Sequence, residues 1–123
     1  MYTLDTNSII YYLKDDPNAI KILEGILNQS LPTYISTITE LELFSFSKLT
    51  TEEFVNIDEI LKSLSIIPLD SQIARLAASL RCKFKLKTPD SVIAATALFT
   101  GSILVTRNVK DFLRVTDLQV KSI

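Results

Sequence analysis

Two patterns of apolar residues alternate along this chain. Short runs rich in β-branched and aromatic residues are typical of strands. Longer segments repeat an apolar residue every three or four positions, as one face of a helix does. Five runs of the first kind predict strands, at residues 1–4, 31–35, 66–69, 102–106 and 118–120. The third predicted strand is expected to be short, because it contains a proline.

Helical segments fill every interval between the predicted strands. They are predicted at residues 8–13, 20–27, 36–48, 54–64, 70–80, 88–99 and 108–113, the last as a short helix or turn. In the third helix, Leu41 and Phe44 are expected to face the core. Thr88 is the expected N-cap of the sixth helix, with Pro89 at its first helical position and Gly101 past its end.

Strands that alternate with one or two helices predict an α/β fold, in which a short-stranded parallel sheet carries helices on both faces. Residues 1–123 are expected to form a single domain, since this length supports one core and no linker or repeat interrupts the sequence. The composition is 47% hydrophobic, with only two glycines and four prolines. It therefore favours a compact, helix-rich domain over disorder.

The sequence carries no sign of export or membrane insertion. No apolar run approaches the roughly 20 residues that span a bilayer, and the start lacks the basic and apolar regions of a secretory signal. The one cysteine, Cys82, cannot form an internal disulfide, which suits a reducing compartment. We therefore expect a cytoplasmic protein that does not associate with membranes.

The absence of histidine limits the chemistry available to this chain. It excludes histidine-dependent catalytic triads and most zinc sites. Any bound metal must be held by oxygen ligands, which favours Mg²⁺ or Mn²⁺. The net charge of −1 also excludes a nucleic-acid binder whose affinity comes from an overall positive charge. One basic run stands out, formed by Arg81, Lys83, Lys85 and Lys87.

Four acidic residues from separate segments are predicted to meet at one edge of the sheet. Asp5 ends the first strand, and Glu40 lies in the first turn after the second strand. Asp90 opens the helix that leads into the fourth strand, and Asp111 follows that strand by one turn. Because the strands are parallel, all four residues belong at the carboxyl edge, where open α/β sheets bind ligands.

Helix capping offers an alternative explanation for three of these acids. Thr37 and Glu40 match a capping box. Asp90 and Asp111 fall in first helical turns, where an acid stabilises a helix by about 0.3–1 kcal/mol. Asp5 is harder to explain, because a carboxylate at the end of a central strand loses hydration and needs a partner. Clustered carboxylates also repel each other unless a cation lies among them.

Four segments of the chain form a combination that resembles a known family. They are residues 4–7 (LDTN), 36–43 (STITELEL), 89–97 (PDSVIAATA) and 104–112 (LVTRNVKDF). In this order and at these spacings they resemble the PIN-domain ribonucleases, most closely the VapC-type toxins of bacterial and archaeal toxin–antitoxin pairs. The resemblance implies a Rossmann-like sheet and Mg²⁺- or Mn²⁺-dependent cleavage of RNA. It also implies a cognate antitoxin and a homodimer.

The resemblance assigns roles to the acids. Asp5, Glu40 and Asp90 fall on the invariant acids of the family. Asp5 and Asp90 are expected to bind the metal directly, and Glu40 to act through water or to orient the nucleophile. Many relatives carry an acid where this chain has Asn108, and Asp111 is the nearest replacement.

The resemblance also suggests supporting residues. Residues expected to orient the carboxylates or to contact phosphate are Thr6, Asn7, Thr106 and Asn108. The basic run from Arg81 to Lys87 is a candidate contact for the RNA backbone, or equally a solvated helix end whose lysines complement the dipole.

Two other functional classes remain open, a phosphotransfer-type α/β domain and a catalytically silent PIN-like binding module. Magnesium-dependent RNA cleavage would separate them.

Overall fold

The computed structural model describes residues 1–45 and 48–123. Within these ranges, five strands form one parallel sheet, which confirms the predicted α/β fold. The strands are β1 (Tyr2–Leu4), β2 (Thr33–Ser36), β3 (Ser65–Ile67), β4 (Ile103–Thr106) and β5 (Val120–Ser122). The helices are α1 (Thr6–Leu13), α2 (Pro17–Leu27), α3 (Thr37–Leu43), α4 (Thr51–Leu61), α5 (Ser71–Phe84), α6 (Thr88–Thr100) and α7 (Val109–Phe112).

The order of the strands places β1 at the centre of the sheet. The order is β3-β2-β1-β4-β5, and every pair is parallel. Tyr2 pairs with Thr33 of β2 on one side and with Ile103 of β4 on the other. The direction of the strand order reverses between β1 and β4. Doubly wound sheets bind ligands at such a point, outside the carboxyl ends of the strands.

Helices cover both faces of the sheet, so the core has two parts. One part packs around α5 and α6 and includes Leu104 of β4. The other packs around α1, α2 and α4 and includes Val105, the next residue of the same strand. Successive side chains of a strand point to opposite faces, and β4 contributes to both parts for this reason. Because Ser91 to Ala97 are all buried, and most are small, α6 can pack closely on the sheet.

Several predicted boundaries are wrong by a few residues. β2 begins at Thr33, and Leu31 is left exposed. β3 ends at Ile67, before the proline that lacks an N–H for the sheet. β5 begins at Val120, two residues later than predicted. α6 begins at Thr88, so Lys87 rather than Thr88 occupies the N-cap.

α3 is shorter than predicted, and of the two residues predicted to face the core only Phe44, just past its end, packs against it. It ends at Leu43, and the predicted extension to Lys48 runs across residues 46 and 47, which lie outside the described residues. The prediction that Leu41 faces the core is wrong, because this side chain is 62% exposed. The fully buried residues of the helix are Thr39 and Leu43. Among the described residues, no helix is both long and apolar enough to cross a bilayer.

Candidate active site

Asp5 lies at the carboxyl end of the central strand and caps α1. Its side chain is only 5% exposed. Oδ1 accepts hydrogen bonds from the backbone N–H of Ser8 at 2.8 Å and from the Ser8 hydroxyl at 2.5 Å. Oδ2 accepts one from the Thr106 hydroxyl at 2.5 Å. Asp5 is therefore a helix cap and also a buried carboxylate with a constrained orientation.

Thr6 links α1 to α3 through a second carboxylate. Its hydroxyl donates to Oε1 of Glu42 at 2.7 Å and also lies 3.2 Å from the hydroxyl of Thr39. The first contact is the shorter and involves a charged acceptor, so we take it as the principal one. It holds Glu42 beside the end of β1. Thr6 was expected to orient a carboxylate, and it does contact one, which belongs to Glu42.

Glu40 lies in the first turn of α3, as predicted, but it does not line the depression in front of Asp5. Ile38, Leu41 and Glu42 of α3 line the depression in front of Asp5, together with Ser45 just past the end of the helix. They recur at the spacing of one helix face, whereas Glu40 lies two residues, or about 200°, from Glu42. The predicted capping box is also not formed, since Ser36 is the N-cap and accepts from the N–H of Ile38. The helical spacing that starts at Ile38 is the signal that identifies Glu42.

Asp90 reaches the same edge from the first turn of α6. Burial raises the pKa of its carboxyl above the ordinary range, and the charges of Asp5 and Glu42 raise it further. Lys87 lowers the pKa, and the charge of Asp111 makes the last contribution upward. The three acids Asp5, Glu42 and Asp90 are therefore close enough for their charges to interact.

These acids surround an open depression of about 540 Å³. Its lining residues are Asp5, Thr6, Asn7, Ile10, Ile38, Leu41, Glu42, Ser45, Pro89, Asp90 and Ile93. Carboxylates and an amide thus face apolar side chains from α1, α3 and α6. An apolar groove of about 360 Å³ adjoins the depression at Ile10 and runs between α1 and α4.

Asn108 and Asp111 form a pair beside this depression rather than in it. The Asn108 side-chain amide donates to Oδ2 of Asp111 at 2.9 Å. The backbone N–H of Asn108 donates to the Thr106 hydroxyl at 3.0 Å, which connects the α7 segment to the partner of Asp5. The negative charge of Asp111 is near enough to Asp90 to raise the pKa of its carboxyl.

The four residues of the basic run have different surroundings in the structure. Lys87 is near enough to Asp90 to lower the pKa of that carboxyl. Arg81 and Lys85 line another small cavity with Cys82 and Leu86. The Lys83 ammonium lies 5.2 Å from the centre of the Phe84 ring. Of the four basic residues, Lys87 therefore has the clearest electrostatic connection to the acids.

The oxygen-only donor set fits a hard divalent cation. In the part of the chain that the structure describes, no group of three or more acidic or cysteine side chains is placed so that it could enclose a metal. Mg²⁺ does not require such a cage, because it usually binds one or two carboxylates and keeps several waters. Asp5 and Asp90 match that requirement. The residues present therefore fit Mg²⁺ or Mn²⁺.

Comparisons with known proteins agree with this geometry. The model of the PIN domain family matches residues 2–118. Ribonuclease VapC1 of Haemophilus influenzae (strain R2866) is 34% identical, over 97% of this chain and 95% of its own. The tRNA(fMet)-specific endonuclease VapC of Salmonella typhimurium is 28% identical, over 98% of this chain and 96% of its own.

Solved structures of toxin–antitoxin complexes show the same fold. VapBC2 from Rickettsia felis, bound to a DNA fragment from its promoter, matches 99% of this chain and 98% of its own with a TM-score of 0.85 and 27% identity. VapBC-1 from nontypeable Haemophilus influenzae matches 98% and 96% with a TM-score of 0.79 and 31% identity. The chain belongs to the PIN-domain family and, within it, to the VapC ribonucleases.

Proposed function

We propose that this protein is the toxin of a VapBC-type pair, an endoribonuclease that hydrolyses RNA phosphodiester bonds with the help of Mg²⁺ or Mn²⁺. The observation that carries the proposal is the convergence of Asp5, Glu42 and Asp90 on one depression at the switch point of the sheet. Full-length similarity to VapC ribonucleases supports the same reaction. Burial raises the pKa of Asp90 most, and the charges of Asp5 and Glu42 raise it further, which is a repulsion that a cation would offset.

Asp5 and Asp90 are the residues that we assign to the cation. Asp5 is buried and already oriented by hydrogen bonds, whereas Asp90 lines the same depression from the first turn of α6. In hydrolases, a cation of this kind activates water for attack and offsets negative charge that develops on the phosphate. Asn7 lines the same depression and presents an amide that can donate to a phosphate oxygen.

Glu42 is the residue that we assign to the attacking water. Oε1 accepts from the Thr6 hydroxyl, which fixes one side of the carboxylate. Oε2 is then available to accept a hydrogen bond and a proton from a water in the depression. Asp111 is proposed as a fourth acid that adds charge beside Asp90, with Asn108 holding its side chain.

The RNA backbone needs positive charge near these acids, because the protein as a whole carries −1. We assign the nearest contact to Lys87, which follows from its effect on Asp90. Outlying backbone contacts are proposed for Arg81, Lys83 and Lys85. This arrangement would place the positive charges that attract RNA phosphates on one side of the depression.

We also propose a cognate antitoxin, a homodimeric state and action in the cytoplasm. The structural relatives are toxin–antitoxin complexes. The apolar groove between α1 and α4 joins the acidic depression at Ile10. A partner segment that follows the groove would therefore reach the depression and cover the acids.

The test is cleavage of a labelled structured RNA by the purified protein. We expect cleavage with Mg²⁺ or Mn²⁺, loss of cleavage in excess EDTA and recovery when Mg²⁺ is restored. Asp5→Asn keeps the size of the side chain and its capping oxygen, so it serves as the matched inactive control. Equal cleavage by wild type and Asp5→Asn, or cleavage that EDTA leaves unchanged, would contradict the proposal.

Expression in a bacterial host tests the toxin role separately. Induction of the wild-type protein is expected to arrest growth, and Asp5→Asn at the same protein level is not. Growth arrest by both proteins would mean that toxicity does not depend on the acidic site.

A further inference from the structure

Ser8 is a buried hydroxyl whose position next to Asp5 is not explained by packing alone. Its side chain has no exposed surface, and it lies in the first turn of α1 directly before the apolar residues Ile9 and Ile10. An ionised carboxylate offers about four lone-pair positions, two on each oxygen. Ser8 occupies both positions on Oδ1 of Asp5, one with its N–H and one with its hydroxyl. The whole of Oδ1 is therefore satisfied by this one residue.

Thr106 accounts for one of the two positions on the other oxygen. Its hydroxyl accepts from the backbone N–H of Asn108, and its own proton therefore points to Oδ2 of Asp5. Three of the four positions on the carboxylate are filled. The remaining one is on Oδ2, and it is the only position of Asp5 that these contacts leave for a ligand.

We propose that Ser8 is a positioning residue that presents one oxygen of Asp5, Oδ2, to the divalent cation. This inference rests on the proposed function, because it assumes that Asp5 binds the cation. Without the Ser8 hydroxyl, Oδ1 would keep a single donor, and the carboxylate could turn to expose either oxygen. Hydrogen bonds that orient a ligand carboxylate are commonly needed for full metal affinity.

The Ser8 hydroxyl lies near a second acceptor besides Asp5, so it has a partner in the protein even where it does not orient the carboxylate. It lies 3.1 Å from the backbone carbonyl of Val105, compared with 2.5 Å from Oδ1 of Asp5. A hydroxyl has one proton, so the shorter, charged contact takes precedence. If the Asp5 carboxylate were removed, as in Asp5→Ala, the hydroxyl could turn to Val105 and remain satisfied. The cap of α1 depends on the Ser8 N–H, so the Ser8 hydroxyl is not required for the helix to begin.

The first test compares Mn²⁺ affinity in Ser8→Ala and Thr96→Ala by calorimetry. Thr96 is a matched control, since it is also a fully buried helical hydroxyl and donates to the Val92 carbonyl at 2.8 Å, away from the depression. We expect Ser8→Ala to raise the Mn²⁺ Kd by about 10- to 100-fold and Thr96→Ala to leave it unchanged. Cleavage by Ser8→Ala should recover to within a few-fold of wild type at saturating Mn²⁺.

The outcomes are decisive in either direction. An unchanged Kd in Ser8→Ala would overturn the proposal, and so would an equal loss of affinity in both variants. If Ser8→Ala does not fold, Ser8→Cys replaces it, because the thiol keeps a side-chain atom in place but donates weakly. The same Kd shift is expected there, and an unchanged Kd again overturns the proposal.

A second readout does not depend on metal binding. Crystal structures of metal-free wild type and Ser8→Ala should show a rotated or divided Asp5 carboxylate in the variant only. An identical orientation in both proteins would overturn the positioning role. If wild type fails to bind Mn²⁺ at all, the metal part of the proposed function fails, while this comparison still decides the role of Ser8.

Discussion

Two glutamates that lie two residues apart on α3 provide a sharp test of the site. Glu42 accepts from Thr6 and lines the depression, whereas Glu40 does not line it. We predict that Glu42→Gln lowers the rate of RNA cleavage by about 10²-fold or more, as expected for loss of a general base. Glu40→Gln should stay within about twofold of wild type, since surface changes of this kind have small effects.

The measurement is the initial rate of RNA cleavage by each variant at saturating Mg²⁺. Both variants are prepared in the same way and checked to be folded. A large loss in Glu40→Gln with full activity in Glu42→Gln would reverse the assignment. It would also mean that α3 presents another face when RNA is bound.

Asp90 connects the site to the stability of the protein. Its pKa is raised in the folded state, first by burial and then by Asp5 and Glu42. The folded protein therefore holds this proton to a higher pH than the unfolded chain does, so stability falls as the pH rises above the ordinary aspartate range. We predict that Asp90→Asn raises the Tm in metal-free buffer at neutral pH, and that the gain shrinks towards pH 4.

Thermal unfolding of both proteins with EDTA and with Mg²⁺ measures this effect. Added Mg²⁺ should raise the Tm of wild type more than that of Asp90→Asn. A lower Tm for Asp90→Asn in every buffer would instead identify Asp90 as a residue that stabilises the first turn of α6.

At the scale of whole elements, the central part of the sheet was the most predictable from sequence. β1 and β4 are buried runs of strand-forming residues, and their ends were predicted to within one residue. The edge strands β3 and β5 were displaced by one or two residues. An edge strand is defined by the neighbour with which it pairs, and local sequence carries little information about that register.

The site was predictable to the level of segments but not always of side chains. Asp5 and Asp90 were located correctly at the edge, because each lies at the junction of two elements. Glu40 is the first acid after β2, but sequence order does not give the rotation of α3, which turns Glu42 towards the depression. Ser8 lies only three residues from Asp5, but its burial and its position beside Val105, 97 residues away, depend on the tertiary structure and leave no signal in the sequence.

The ends of α5 and α6 differ in a way that affects stability. The C-cap of α6 is Gly101, with φ of 65°, whereas the C-cap of α5 is Lys85, with φ of 58°. This left-handed conformation costs a residue with a Cβ about 1–2 kcal/mol. We predict that Lys85→Gly raises the free energy of unfolding by about 1 kcal/mol, and that Gly101→Ala lowers it by a similar amount.

Urea unfolding of the two variants checks this prediction. Lys83→Gly is the control, because Lys83 lies within α5, where glycine should destabilise by about 1 kcal/mol. A loss of stability in Lys85→Gly equal to that in Lys83→Gly would show that the conformation at Lys85 carries no strain.

At the scale of the whole molecule, an acidic depression is combined with a net charge of only −1 and a chain without histidine. The fold brings carboxylates from β1, α3 and α6 to one edge, and full-length relatives of this chain are VapC ribonucleases. We propose that these carboxylates bind the cation on which RNA cleavage depends. The acids at the edge should then differ in Mn²⁺ binding from acids that only cap helices.

Calorimetric titration with Mn²⁺ measures whether the acids at the edge bind the cation. Asp70 provides the control, because it caps α5 by accepting from the N–H of Ile73 and does not line the depression. We predict that Asp5→Asn and Asp90→Asn each weaken Mn²⁺ binding by more than about tenfold, the effect of losing even a supporting residue. Asp70→Asn should bind as wild type does. Unchanged affinity in both Asp5→Asn and Asp90→Asn would contradict the account.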